Sequence, residues 1–190
     1  MKLGKIGALC KNAKRFVVYN VASVQWISDG AALYPLRELP PLEEENIYTI
    51  FDIPEDKRGK IAFEARDNHP YGISFDDAVK GESVMQFMPI TFFYHGTLLS
   101  PMKCESGILF IDRRYLAPFD DGIALYERFY PGGDRPYVAV KRGMLLEGII
   151  TPAEIATVEL AEMLTQIGKL TAAIAGDDDS EEYEQEILDI

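Results

Sequence analysis

The side chains that could support acid–base or nucleophilic chemistry are few and widely separated. The 190-residue sequence contains two histidines and two cysteines. His69 precedes a proline in a loop-rich stretch and His95 lies in a predicted hairpin turn, so neither has a nucleophile at a catalytic spacing. The carboxylate pairs Asp76–Asp77 and Asp120–Asp121 fall in turn-forming segments, where solvated acids are common. We therefore predict no catalytic residue, no metal site and no cofactor. An enzyme that uses one histidine with loop carboxylates is a third alternative, behind the two functions given below.

Sequence motifs that bind phosphate or metal, or that carry a nucleophile, are also missing. There is no P-loop, no dinucleotide-binding glycine fingerprint, no HExxH, no CxxC and no GxSxG. The glycine-containing segment 131–134 is explained as a hairpin turn. No small-molecule substrate is evident from these patterns.

Charge is distributed unevenly along the chain. The net charge of −12 argues against nucleic-acid binding by the whole surface, although it leaves room for a local basic patch. Residues 1–28 contain no acid and five cations, which are our candidate nucleic-acid contacts: Lys2, Lys5, Lys11, Lys14 and Arg15. Residues 177–190 contain eight acids and no base, and we predict an acidic tail there. Such a tail is either solvated or able to cover the basic segment, since 14 extended residues reach about 45 Å.

The basic segment is predicted to form an amphipathic helix over residues 2–16. Its apolar residues recur at helical spacing and comprise Leu3, Ile6, Cys10, Ala13 and Val17. Lys11, Lys14 and Arg15 fall on the opposite side. One interpretation is a surface helix with a solvated basic face. The other is a helix that lies along phosphates, because an all-basic face gains nothing from ion pairs within the helix.

The remaining sequence to residue 150 predicts a single α+β domain. About 47% of the residues are apolar, which is enough for a hydrophobic core. Alternating runs at 17–21, 24–28 and 31–36 predict strands, as do later runs up to residue 150. The loop-rich stretch 67–82 separates two halves of about 1–75 and 76–150. We expect antiparallel sheets with the helices on one side.

A C-terminal amphipathic helix is predicted over residues 151–176. Thr151 is a suitable N-cap, Pro152 suits the first helical position and Gly176 suits the end. An apolar stripe follows at alternating spacings of four and three residues: Ala156, Leu160, Met163, Ile167, Leu170 and Ile174. The stripe either packs on the domain core or pairs with a second copy of the chain through residues 152–175.

Three segments of the second half resemble the closing half of a DNA sliding-clamp domain. They read GILFIDRRYLAPF at 107–119, PYVAVKRG at 136–143 and MLLEGIITP at 144–152, with the pair Tyr115–Leu116 in the short helix. The resemblance implies two β-α-β-β-β-type halves whose helices face the DNA backbone, in a phage- or mobile-element-type protein. It also gives the basic N-terminal helix a function. We therefore expect a noncatalytic DNA-metabolism protein, and the alternative is a self-associating interaction module that binds no nucleic acid.

The expected location is the cytoplasm, without membrane contact. No window approaches the roughly 18 uncharged apolar residues that span a bilayer. Two cysteines far apart in sequence, Cys10 and Cys104, do not form a disulfide framework, which is consistent with reduced thiols.

Overall fold

The computed structural model describes residues 1–21, 24–37, 39–133, 135–155 and 160–173. The chain divides into two compact units, Met1–Ala153 and Glu154–Ile190. In chain order, the elements of the first unit are α1 (Leu3–Ala13), β1 (Arg15–Val21), β2 (Val24–Ser28), β3 (Ala32–Pro35), α2 (Glu44–Ile50), α3 (Glu55–Arg58), β4 (Ala62–Arg66), β5 (Ser83–Val84), β6 (Gln86–Phe87), β7 (Phe92–Tyr94), β8 (Thr97–Cys104), β9 (Gly107–Asp112), a 3-10 helix (Arg113–Leu116), β10 (Ala124–Phe129), β11 (Pro136–Arg142) and β12 (Leu145–Ile150). The second unit contains α4 at residues 160–173.

The larger sheet has eight strands in the order β4-β1-β2-β3-β12-β11-β10-β5. Each half of the chain contributes a helix followed by a three-stranded meander: α1 precedes β1-β2-β3, and the 3-10 helix precedes β10-β11-β12. The meanders join where Leu33 faces Ile149 and Ala32 faces Ile150. All neighbouring strands are antiparallel except β1 and β4. The predicted α+β class, with antiparallel sheets in two halves, is confirmed.

Helices α1 and α2 and the 3-10 helix pack against one face of this sheet. Ile6 and Cys10 from α1 and Ile47 from α2 belong to the core cluster on that face. Side chains of a strand alternate between faces, so Val18 points into this cluster while Val17 points to the other side. The opposite face is covered by the segment between β4 and β5, which buries Ile73 there. Within the first unit, α1, α2 and the 3-10 helix therefore share one side of the sheet, as expected.

A smaller sheet is built around β8. Strand β9 pairs along most of β8, while β6 pairs with residues 102–103 of β8 and β7 pairs with residues 97–99. The chain changes sheets at Met85, since β5 pairs with β10 and β6 pairs with β8. The Met85 amide donates to the Leu125 carbonyl at 2.8 Å. The apolar run 83–94 therefore forms three short strands, and β9 lies in a different sheet from β10, β11 and β12.

Helix α1 ends earlier than its pattern predicts. Lys14 adopts the left-handed conformation, with φ of 54°, and its amide donates to the carbonyls of Cys10 and Lys11. Arg15 then begins β1, which pairs in parallel with β4. Lys14 is therefore the C-cap, and neither Lys14 nor Arg15 lies on the helix.

The C-terminal helix begins later than predicted. Residues 151–155 are not helical, because the amide of Thr151 donates to Ala31 and that of Ala153 donates to Phe110, both at 2.8 Å. The first bond continues the pairing of β12 with β3, and the second joins the chain to β9 of the smaller sheet. Among the described residues, no helix is long and apolar enough to cross a membrane.

Candidate interaction surfaces

Three of the five N-terminal cations contact groups within the protein. Lys2 Nζ lies 3.6 Å from an Asp120 carboxylate oxygen, and Lys11 Nζ donates to the Phe51 carbonyl at 3.1 Å. Arg15 donates to Glu64 at 2.8 Å. In the described part of the chain, the Lys5 and Lys14 ammonium groups are exposed and have no ion-pair partner. The structure therefore does not gather the five predicted contacts into one free cluster.

Glu64 compensates the charge of Arg15. It also accepts from Arg66 at 2.5 Å, and the hydrogen bonds from Arg66 and Arg15 hold the pKa of its carboxyl below the usual value. Because both arginines are half-exposed, the ion pairs of Glu64 with Arg15 and with Arg66 are surface ion pairs. Arg15 is thus the least available of the predicted nucleic-acid contacts.

The exposed side of α1 is smooth and contains no acid. We call this side the α1 face, and its residues are Gly4, Lys5, Ala8, Lys11 and Asn12. A Cβ built at Gly4 meets no atom within 4 Å, so the backbone there is open to solvent. Two lysines with small residues between them would let a phosphate backbone approach the helix closely.

Sequence analysis missed one cation beside this face. The amide of Ala62 donates to the Lys14 carbonyl at 2.9 Å, so the chain entering β4 runs next to the end of α1. The exposed Lys60 precedes that contact by two residues. A prediction of the pairing between β1 and β4 would have placed Lys60 near the end of α1, and that pairing joins residues almost 50 positions apart.

The described part of the C-terminal stripe is largely exposed. Met163 is 45% exposed, Ile167 is 58% exposed and Leu170 is 60% exposed. Leu160 is half-buried. The other two residues of the predicted stripe, Ala156 and Ile174, lie outside the described residues. The predicted acidic tail at 177–190 lies outside them as well.

The two histidines and the loop carboxylates are not brought together. The His69 ring lies 5.5 Å from the Phe75 ring, whereas His95 occupies a left-handed turn position beside Tyr94. Asp77 accepts from the Leu146 amide at 2.8 Å. Within the described ranges, no three His, Cys, Asp or Glu side chains are grouped to hold a metal ion.

Asp120 is engaged at the N-terminus of the chain. Its carboxylate accepts from the amino group of Met1 at 3.0 Å, and that hydrogen bond holds the pKa of Asp120 below its usual value. Asp121 is held through its backbone, since its carbonyl accepts from Arg142 at 2.6 Å. These contacts assign the pair a structural role in fixing the turn before β10.

A buried charged cluster was not found by sequence analysis. Glu82 accepts from Arg128 and from Lys141, each at 2.6 Å, and we call these three residues the Glu82 cluster. The Arg128 and Lys141 side chains are only 1% and 3% exposed. Burial raises the pKa of Glu82, but the hydrogen bonds and the positive charges of both cations together hold it below its usual value. The cluster fastens the segment that covers the sheet.

A second polar group lies on the other face of β10. Glu127 is fully buried and accepts from Ser83 Oγ and from the amide and hydroxyl of Ser106. Cys104 Sγ donates to the Gly107 carbonyl at 3.3 Å, and burial raises the pKa of this thiol. A protonated thiol is a poor nucleophile, so this arrangement does not resemble an activated catalytic cysteine.

Two of the surfaces predicted from the sequence are exposed in the described residues and are candidates for contact with other molecules: the α1 face and the stripe of α4. One is polar and basic, and the other is apolar. Compared with protein-family models, curated proteins and solved structures, the chain matches none of them.

Proposed function

We propose that this chain is a noncatalytic DNA-metabolism protein that contacts the DNA backbone through the α1 face. The observation that carries the proposal is the composition of that face, where Lys5 and Lys11 flank small residues and no acid is present. Lys14 adds a third cation at the end of the helix. Such a surface suits phosphate contacts, which supply affinity without reading the base sequence.

The arrangement of the two halves supports the same proposal. Each half places a helix before a three-stranded meander, and the helices share one face of the sheet. The sliding-clamp resemblance implies this kind of arrangement, with the helical face turned towards DNA. The proposal therefore rests on both the α1 face and the order of the elements.

Salt dependence tests the proposal. Three lysine–phosphate contacts imply a log–log slope of affinity against salt near −2.7, at about −0.9 per contact. We expect weak, sequence-insensitive binding of a fluorescent duplex, measured by anisotropy at several KCl concentrations. Replacing Lys5, Lys11 and Lys14 by Ala should abolish it. The matched control replaces three exposed lysines elsewhere, Lys80, Lys103 and Lys169, and should retain the slope.

A tail-deleted chain provides the more stringent form of the same experiment. Removing residues 177–190 takes away eight carboxylates from a protein of net charge −12, so long-range repulsion of DNA decreases. We expect tighter binding at low salt. If the shortened chain binds no duplex at low salt, the DNA proposal is wrong.

A second candidate function, self-association, is favoured by the exposure of the α4 stripe. Three large apolar side chains that are 45–60% exposed form a surface that a second copy could cover. Two positions beside the exposed part of the stripe, Gln166 and Thr171, are uncharged and do not oppose pairing of two such helices.

Solution mass decides this second candidate. Replacing Ile167 and Leu170 by Glu should convert an oligomer into a folded monomer, because the change places unpaired charge in the seam. The matched control places Glu at Thr165 and Ala172, outside the stripe, and should remain oligomeric. Analytical ultracentrifugation measures the mass, and circular dichroism checks the fold. A monomeric parent protein at micromolar concentration would exclude self-association.

A further inference from the structure

A groove of about 580 Å³ lies between residues 87–91 and residues 113–123. We call it the 87–123 groove. Phe87 and Ile90 line one side, and Leu116 and Phe119 line the other. Phe87 is 55% exposed and Ile90 is 47% exposed, so both apolar side chains face solvent. The volume falls within the range of sites that bind small molecules or short peptide segments.

Exposed apolar side chains continue beyond the groove on the smaller sheet. Phe93 and Leu98 face each other across β7 and β8, and they are 75% and 42% exposed. Two residues facing each other in antiparallel strands have side chains on the same face. The smaller sheet and the segment after β6 thus expose Phe87, Ile90, Phe93 and Leu98, and exposed apolar side chains in such number mark interaction sites.

The charge around this groove differs from the charge of the whole protein. Residues 83–104 contain no acid, although the chain has 31 acidic residues. Arg113 lines the groove, and among the described residues its exposed guanidinium has no ion-pair partner. Of the two acids that line the groove, Asp120 is neutralised by the Met1 amino group and Lys2. The backbone carbonyl of the other acid, Asp121, accepts from the Arg142 guanidinium at 2.6 Å, which places a second arginine beside that residue.

We propose that the 87–123 groove binds an acidic peptide segment of another protein that carries large apolar side chains. The apolar side chains would lie between Ile90 and Leu116, and a carboxylate would pair with Arg113. This partner site goes beyond the proposed DNA contact, and it uses none of the lysines of the α1 face. The uncompensated arginine favours an acidic partner, because a basic segment would meet like charge there.

Selection from a random ten-residue peptide library displayed on phage, with the full chain as bait, tests the proposal. We expect enriched sequences that combine Asp or Glu with Leu, Ile or Phe. A labelled enriched peptide is then titrated against variants by fluorescence anisotropy. Ile90→Ser should weaken binding at least tenfold, since it removes about one buried aliphatic side chain. Arg113→Glu should weaken binding of the acidic peptide about fivefold. It should weaken binding less for a peptide in which the acidic residue is replaced by glutamine.

Lys80→Glu is the matched control, because it makes the same charge change at an exposed residue outside the groove. It should leave the affinity unchanged, and circular dichroism should show that all three variants are folded. Three outcomes would overturn the proposal: no enrichment, enrichment of basic peptides, or an affinity that is the same for Ile90→Ser and the parent protein. Binding of phosphatidylserine vesicles that requires Phe93 and is unaffected by Arg113→Glu would instead assign the surface to a membrane. The Ile90→Ser variant should bind duplex DNA with the affinity of the parent protein. The DNA proposal and the peptide proposal can therefore fail independently of each other.

Discussion

Glu82 offers the sharpest test of how this fold is held together. Its carboxylate is the shared acceptor for two cations whose side chains are almost completely buried. Glu82→Gln keeps the size of the side chain and one acceptor oxygen, but it removes the charge that both cations face. Removing one partner of a buried ion pair costs about 3–5 kcal/mol. We expect a loss near the lower limit, about 3 kcal/mol, because Arg128 keeps its bonds to the carbonyls of Asp76 and Asp77.

Thermal and urea denaturation measure this loss. For a chain of this length, about 3 kcal/mol corresponds to a fall in Tm of roughly 6–12 °C. Glu64→Gln is the matched control, because Glu64 also accepts from two arginines but lies at the surface. It should cost much less. Equal losses for Glu82→Gln and Glu64→Gln would refute the assignment of a stabilising role to the Glu82 cluster.

The pH dependence gives an independent check on Glu82. Its pKa is below the usual value in the folded protein, so its ionised form stabilises the fold above the unfolded pKa of about 4.3. This contribution is lost as the pH falls through the lower, folded-state pKa. The difference in stability between the parent protein and Glu82→Gln should therefore be constant near neutral pH and shrink in acid.

Two further predictions concern α1 and the thiols. Gly4→Ala should stabilise the protein by about 0.5–1 kcal/mol, because alanine has the higher helix propensity. Gly7→Ala should destabilise it by about 1–3 kcal/mol. The reason is that a Cβ at Gly7 would overlap the buried Phe51 ring. Urea denaturation of both variants measures the difference, and stabilisation by Gly7→Ala would contradict the packing described here. Ellman's reagent should modify Cys104 before Cys10, since Cys10 is 1% exposed and burial raises its pKa far above the usual value. Equal rates in the native protein would show that Cys10 is accessible.

Local patterns were sufficient to predict the first meander. Alternating apolar residues indicated β1, β2 and β3, and the turn between β2 and β3 contains Asp29 and Gly30. In the structure Asp29 accepts from the amides of Ala31 and Ala32 at 2.9 and 3.0 Å, which is how an aspartate stabilises a turn. Information carried by neighbouring residues is enough for such elements.

Contacts between distant residues were not predictable in this way. Arg128 and Lys141 would be placed on the surface by their residue type, and their partner Glu82 lies 46 and 59 positions away. The change of sheets at Met85 depends on two pairings that the apolar run 83–94 does not specify. Such features are decided by the packing of the whole domain.

Only part of the placement of the five N-terminal cations followed from the sequence. Helical periodicity placed Lys11 on the polar side of α1, and Lys11 is exposed in the structure. The pattern also included Lys14 and Arg15, because it does not show that a lysine will adopt the left-handed conformation that is rare for residues other than glycine. The compensation of Arg15 by Glu64, 49 positions away, could not be inferred from the sequence either.

The pairing of β3 with β12 has a consequence for synthesis on the ribosome. Strand β3 ends at Pro35, and its partner β12 begins about 110 residues later, at Leu145. At translation rates of about 5–20 residues per second, the β3 edge waits roughly 5 to 20 seconds for its partner to be made. An unpaired strand edge can join the edge of another chain, so nascent copies on one messenger RNA are exposed to mispairing during this interval. Slower growth of the chain would lengthen that interval, and a chaperone that shields the β3 edge would raise the yield of folded protein.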